Sequence, residues 1–147
     1  MDGMNSADKT KDIIIIGKGQ NDLEDILKEE AEKAGRVLAF ETHPEAGYYY
    51  RSDHFNFAKV GIPALYTKRG VDVIGKGSAF GEQLEEEYRQ KHYHRPSDEY
   101  DSKTMTFEGG IDDLKILFLV GKRLAFNDNM PQWKEGSEFK AIREGKK

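Results

Sequence analysis

The amino-acid sequence predicts an α/β fold, with a mostly parallel or mixed sheet flanked by helices. The run Asp12–Ile16 holds four consecutive isoleucines, which is typical of a strand buried on both faces of a sheet. Arg36–Glu41 is a second apolar run of strand length. Between these runs, apolar side chains recur on one helical face at Leu23, Ile26, Leu27, Ala31 and Ala34. A strand, a helix and a strand within about thirty residues predict a βαβ unit with two parallel strands.

Cap and turn residues set the ends of the first helix and the order of the next elements. Asn21 or Asp22 caps this helix, and Gly35 ends it. A loop rich in glycine and tyrosine follows. After it we expect a short helix that Ser52 or Asp53 caps and that runs to Val60, a strand at Ala64–Thr67, and a polar surface helix at Glu82–Lys91.

The last predicted helix has the strongest apolar periodicity of the chain. It starts from a cap at Thr104 or Thr106, and its apolar and small residues repeat at spacings of four and three. Amphipathic helices turn such a stripe towards a core. The stripe comprises Phe107, Ile111, Leu114, Phe118, Gly121 and Ala125. In the polar tail that follows, at 127–147, Trp133 and Phe139 are the expected anchors.

Length and composition exclude several classes of protein. The chain has 147 residues, a net charge of −4 and no cysteine, so we expect one domain, at 1–147, without disulfides or thiolate zinc sites. A mildly acidic chain is a poor nucleic-acid binder, because phosphate contacts need a basic face. The longest apolar run, Ile116–Val120, is five residues long, whereas a membrane-spanning helix needs about 20. The N-terminus has no basic start and no apolar stretch, so no signal peptide is predicted.

The first candidate site is the turn from Gly17 to Asp22, between the first strand and the first helix. Gly17-Lys18-Gly19 resembles a dinucleotide-binding turn, and Glu41 lies where such folds keep a ribose-binding acid. However, Asp22 stands at the third glycine position. The acids at 24 and 25 would repel a pyrophosphate, although they suit the helix dipole without any ligand. The pattern therefore favours a tight βα turn.

Two further segments carry side chains suited to chemistry. Tyr48–Phe57 clusters three tyrosines, an arginine and a histidine before a helix N-terminus, and such donors can polarise a carbonyl or hold an oxyanion. A simple helix cap explains the same residues. In Tyr93–Asp101, Pro96 stiffens the loop that carries His94. Asp98 or Asp101 is in a position to hydrogen-bond its second ring nitrogen, as carboxylates do behind metal-bound histidine.

Four segments carry a resemblance to a known family: Met1–Asn5, Arg51–Ala64, Tyr93–Asp101 and Trp133–Phe139. Taken together, they resemble the C-terminal half of the M28 family of zinc-dependent aminopeptidases, and the last of them is similar to the end of bacterial members. The resemblance spans nearly the whole chain.

The resemblance implies a fold, two zinc ions and a set of site residues. The fold is the three-layer α/β sandwich of zinc exopeptidases. Asp2 matches a ligand of one zinc, and His94 matches a ligand of the other, so the resemblance implies that the two residues lie near one another in the fold. Tyr49 matches the catalytic tyrosine that helps to hold the substrate carbonyl as it becomes an oxyanion. Ser52, Asp53 and His54 match the loop and helix start beside the substrate pocket, where they and Tyr49 would bind the substrate.

The family's remaining zinc ligands and its catalytic glutamate precede the position that Asp2 matches. We therefore expect this chain to be the C-terminal portion of a peptidase domain, inactive alone and a poor holder of zinc. The expected partners are a peptide substrate, the N-terminal half of the domain, and a second copy through a helix face or a sheet edge such as Asp12–Ile16 or Ala64–Thr67. A non-catalytic binding module on the same fold is the rival hypothesis. Family members are often exported, but the sequence leaves the compartment open.

Overall fold

A computed structural model describes residues 5–145 and shows a mixed α/β fold. Asp2, a predicted zinc ligand, lies outside the described residues. Two short 3₁₀ turns, Pro44–Ala46 and Tyr48–Arg51, precede the second helix. The strands are β1 (Asp12–Ile16), β2 (Val37–Phe40) and β3 (Tyr66–Arg69), and the helices are α1 (Leu23–Lys33), α2 (His54–Ala58), α3 (Ser78–Lys91), α4 (Glu108–Ala125) and α5 (Lys140–Arg143).

The three strands form one sheet in the order β2-β1-β3. β1 and β2 pair in parallel, with Asp12 opposite Val37, as the predicted βαβ unit requires. β3 pairs antiparallel to β1, with Ile13 opposite Arg69, so the sheet is mixed. The expectation that Asp12–Ile16 forms an exposed edge is wrong, because this strand lies between the other two. Strands β2 and β3 bound the described sheet.

Successive isoleucines of β1 point to opposite faces of the sheet, and each face has its own apolar core. On one face Ile13 and Ile15 pack against α1 and α4, and the buried members of this cluster are completed by Leu27, Ala31, Ile116 and Val120. On the other face Ile16 joins a second cluster with Tyr49, Ala58, Trp133 and Phe139. The predicted sandwich of layers around a sheet is confirmed, and the polar tail is anchored by the two aromatic residues expected to do so.

The predicted last helix forms, but its predicted buried face is wrong. Phe118 is 69% exposed and Ile111 is 51% exposed. The side that packs on the sheet and on α1 instead carries Gly109, Gly110, Asp113, Ile116 and Val120. Asp113 lies on this side although it is charged. It is buried because the Arg36 guanidinium donates to its carboxylate at 2.6 Å.

Several element ends differ from the sequence prediction. β3 begins at Tyr66 rather than at Ala64, whose carbonyl accepts a hydrogen bond from the Asn21 side chain at 3.0 Å. Asp22 is the residue that precedes α1, and its side chain makes no cap bond, whereas Asn21 Oδ1 accepts a bond from the backbone N–H of Leu23 at 3.1 Å. Phe107, rather than either threonine, precedes α4. Among residues 5–145, none of the helices is long and apolar enough to span a bilayer.

Candidate functional site

The βα turn after β1 uses its backbone donors on carboxylates of the same chain. The N–H of Gly17 donates to Glu41 Oε1 at 2.9 Å, and the N–H of Gly19 donates to Glu24 Oε2 at 3.0 Å. These carboxylates take the amides that a bound phosphate would need. The geometry therefore supports the tight-turn interpretation of Gly17-Lys18-Gly19 over nucleotide binding.

Tyr49, the predicted catalytic residue, is buried in the second core cluster. Its ring stacks on Phe139, with centroids 5.8 Å apart, and its edge contacts include His54 at 4.6 Å. Among the described residues, none forms a hydrogen bond with the buried Tyr49 hydroxyl. Burial raises the pKa of this phenol well above its usual range. At neutral pH the group is therefore a protonated donor.

The turn and the tyrosine cluster meet at one point of the fold. Gly17 lies directly against the Tyr49 ring, and a Cβ atom at this position would overlap the ring. The space enclosed here, which Gly17, Tyr49 and Tyr66 help to line, is too small for a water molecule. The Tyr49 hydroxyl is thus closed off from solvent in this structure. Gly17 and Glu41 belong to the surroundings of Tyr49, a role that the sequence does not reveal because they are distant along the chain.

The predicted substrate-binding residues follow Tyr49 towards the surface. His54 contacts both the Tyr49 ring and the Tyr66 ring, the latter at 4.8 Å between centroids. Asp53 occupies the position before α2 and is exposed, whereas Ser52 is half-buried. The structure therefore brings Tyr49 and His54 into contact and leaves the Asp53 carboxylate facing solvent beside them.

His94 lies on an exposed loop after α3, with a positive φ of 57° and its ring stacked 3.9 Å from that of Tyr93. The predicted carboxylate support for this ring is wrong for both candidates. Asp98 accepts hydrogen bonds from the Tyr88 hydroxyl at 2.9 Å. The Asp101 carboxylate accepts from the backbone N–H of Lys103 and from the Thr104 hydroxyl. Proximity of His94 to Asp2 stays a prediction.

The described residues do not by themselves fit a zinc ion. Within 5–145 there is no group of three or more histidine, aspartate or glutamate side chains placed to hold a metal. Protein zinc sites use three or four such ligands, and His94 supplies one imidazole.

The contact between Gly17 and Tyr49 gives a testable pair of substitutions. Gly17 and Gly19 both have positive φ, 79° and 84°, but only at Gly17 would a new Cβ meet another group. A left-handed alanine costs about 1–2 kcal/mol at either position. Displacing the ring adds about 1–3 kcal/mol at Gly17. In urea unfolding we expect Gly17→Ala to be the more destabilised variant by that difference, and equal losses would contradict the contact.

Comparison with known proteins identifies the family. The model of peptidase family M28 matches residues 1–113, about three quarters of the chain. The matched range includes Tyr49, the segment 52–54 and His94. No curated protein and no solved structure matches the chain. Because the family model covers well over half of the sequence, this chain belongs to peptidase family M28.

Proposed function

We propose that this chain forms the substrate-facing part of an aminopeptidase, an enzyme that hydrolyses the peptide bond after a substrate's first residue. The main support is the family match, which contains Tyr49 and the segment 52–54. In this proposal the segment 48–54 binds the amino-terminal end of a peptide. The exposed Asp53 carboxylate pairs with the substrate's ammonium group, as opposite charges do beside a surface cleft.

Tyr49 is the proposed donor to the substrate carbonyl. A tyrosine phenol carries its proton at neutral pH, and burial raises its pKa further here. A donor aimed at a developing oxyanion stabilises that charge. The hydroxyl is buried in this structure, so the proposal requires the 48–54 segment to open when substrate binds. The rings of Tyr50 and His54 pack on Tyr49 and would move with it.

Zinc is the proposed cofactor, as two ions. Asp2 is the proposed ligand of one ion, and His94 is the proposed ligand of the other. When bound, zinc supplies a water of lowered pKa for hydrolysis. Residues 5–145 contribute only one of these two ligands and lack a metal-holding group. The proposal therefore assigns substrate contact, and not metal retention, to the described part of the chain.

The purified chain should show no aminopeptidase turnover. The reason is that Asp2 and His94 give each zinc ion one proposed ligand, whereas a catalytic zinc ion needs about three protein ligands. The measurement is release of chromophore from a panel of aminoacyl anilides, with added zinc and in parallel with a chelator. Turnover that requires zinc and copurifies with the chain would contradict this expectation. A His94→Ala variant, carried through the same purification, controls for peptidases from the host.

A non-catalytic binding module is the second candidate, and the lack of a metal-holding group among residues 5–145 favours it. Calorimetric titration with a dipeptide separates the two. The peptidase proposal expects Asp53→Asn to weaken binding, and expects a dipeptide with an acetylated amino terminus to bind more weakly than the free dipeptide. The exposed Asp128→Asn change is the matched control. Equal affinity for the free and the acetylated dipeptide, in the parent chain and in Asp53→Asn alike, would support the module instead.

A further inference from the structure

Helix α4 presents a continuous apolar stripe to solvent. We call the stripe the α4 seam and define it as Ile111, Leu114, Phe118, Gly121 and Ala125, all exposed. Its three large side chains are 51%, 43% and 69% exposed, in that order. The opposite side of the helix is already used, since Ile116 and Val120 pack in the core. An exposed apolar stripe of this length is typical of an interaction surface.

The spacing of the α4 seam indicates what kind of element covers it. Its residues alternate at intervals of three and four, the repeat of a helix that packs along a second helix. A globular core-facing stripe is wider than this. We propose that the α4 seam binds the α4 seam of a second copy of this chain, with the two helices antiparallel.

Charges beside the seam support the antiparallel orientation. Glu108, Lys115 and Lys122 follow one flank at intervals of seven residues, and all three are exposed. In an antiparallel pair, Glu108 of each copy lies opposite Lys122 of the other. One pair of like charges, the two Lys115 side chains, lies between these ion pairs. Within each copy Asp112 is 3.3 Å from Lys115 and offsets its charge. In a parallel pair the charged flank would meet the other flank, which carries Gly110, Leu117 and Leu124 and no charge, so no ion pair would form.

Side-chain sizes support the same register. With Glu108 opposite Lys122, Ile111 faces Gly121 and Leu114 faces Phe118, each contact occurring twice. A large residue thus meets a small one at either end, and the bulkiest pair lies between. The space around Gly121 is open, since nothing lies within 4 Å of a Cβ built there. Close approach of a second helix at this glycine is therefore unobstructed by the described residues.

The mass of the chain in solution tests the proposal. Light scattering behind size exclusion, at micromolar concentration, should give about twice the 16.8 kDa of one chain. Phe118→Glu should reduce the mass to that of a monomer. Leu119→Glu is the matched control, because Leu119 is an exposed apolar residue of the same helix outside the seam, and it should leave the dimer intact. A monomeric parent chain, or equal masses for the two variants, would overturn the proposal.

Crosslinking tests the orientation. The chain has no cysteine, so introduced thiols report only the intended contacts. Ile111→Cys combined with Gly121→Cys should yield a covalent dimer on oxidation, because the two positions face each other across the antiparallel pair. Within one helix they are about 15 Å apart and cannot react. Each single variant should stay uncrosslinked. Efficient crosslinking of Gly121→Cys alone would indicate a parallel pair, and no crosslinking of the double variant would overturn the register.

Discussion

Replacing Trp133 by alanine should lower the free energy of unfolding by about 3–5 kcal/mol, the cost of removing a large aromatic side chain from a core. Trp133 is 4% exposed, and its indole N–H donates to the carbonyl of Gly61 at 2.9 Å. Its ring also lies 5.1 Å from that of Phe139. Urea unfolding measures the loss.

Two further variants show whether the loss at Trp133 comes from packing. Trp133→Phe keeps much of the ring volume and should lose less than the alanine variant, although it forfeits the bond to Gly61. Met130→Ala, at a position 66% exposed on the same segment, should change stability by less than about 0.5 kcal/mol. A small loss for Trp133→Ala would mean that the tail is not anchored on the sheet. The Tyr49 cluster would then lack the support that Trp133 and Phe139 give it.

Arg36→Ala should also lower the free energy of unfolding by about 3–5 kcal/mol, because it leaves the buried Asp113 carboxylate without its partner. Arg36 and Asp113 are both buried, and the guanidinium also donates to the Thr10 hydroxyl at 2.9 Å and to the Asp12 carbonyl. Burial raises the pKa of the Asp113 carboxyl in spite of this partner. We therefore expect the loss in Arg36→Ala to come mainly from the acid that is left buried without its partner.

The double variant Arg36→Met with Asp113→Leu separates pairing from packing. Replacing both charges by apolar groups of similar size should recover much of the stability lost in Arg36→Ala. The exposed ion pair between Arg89 and Glu86 offers a control, and Arg89→Ala should cost less than about 1 kcal/mol. A double variant as unstable as Arg36→Ala would show that the guanidinium's bonds to Thr10 and Asp12, rather than the buried acid, decide the outcome.

Local patterns predicted the part of the fold that depends on neighbours in sequence. The four isoleucines of β1, the apolar face of α1 and the strand at β2 lie within one βαβ unit, and their type and pairing were both correct. The predicted buried face of α4 was wrong, because the residues at spacings of three and four form the exposed α4 seam. The buried face carries Gly109, Gly110, Asp113, Ile116 and Val120. Asp113 is buried there because it pairs with Arg36, 77 positions away.

The candidate site divides in the same way. Tyr49 and His54 are five positions apart, and their contact follows from one turn and the start of one helix. The approach of Gly17 to the Tyr49 ring joins segments far apart in sequence, and no local pattern indicates it. The bond from Gly17 to Glu41 spans 24 positions and escaped prediction for the same reason. Asp2 and His94 are farther apart still in sequence, and their proximity in the fold stays a prediction.

The most direct test of the proposed function is where a peptide binds. Titration of the isotope-labelled chain with a dipeptide, followed by amide chemical shifts, reports this residue by residue. The proposal predicts that the largest shifts fall at 48–54 and at the Gly17 amide, which lies against Tyr49, and that Asp53→Asn reduces them. Saturating peptide that leaves these amides unmoved, or that shifts only a distant surface such as α4, would contradict it.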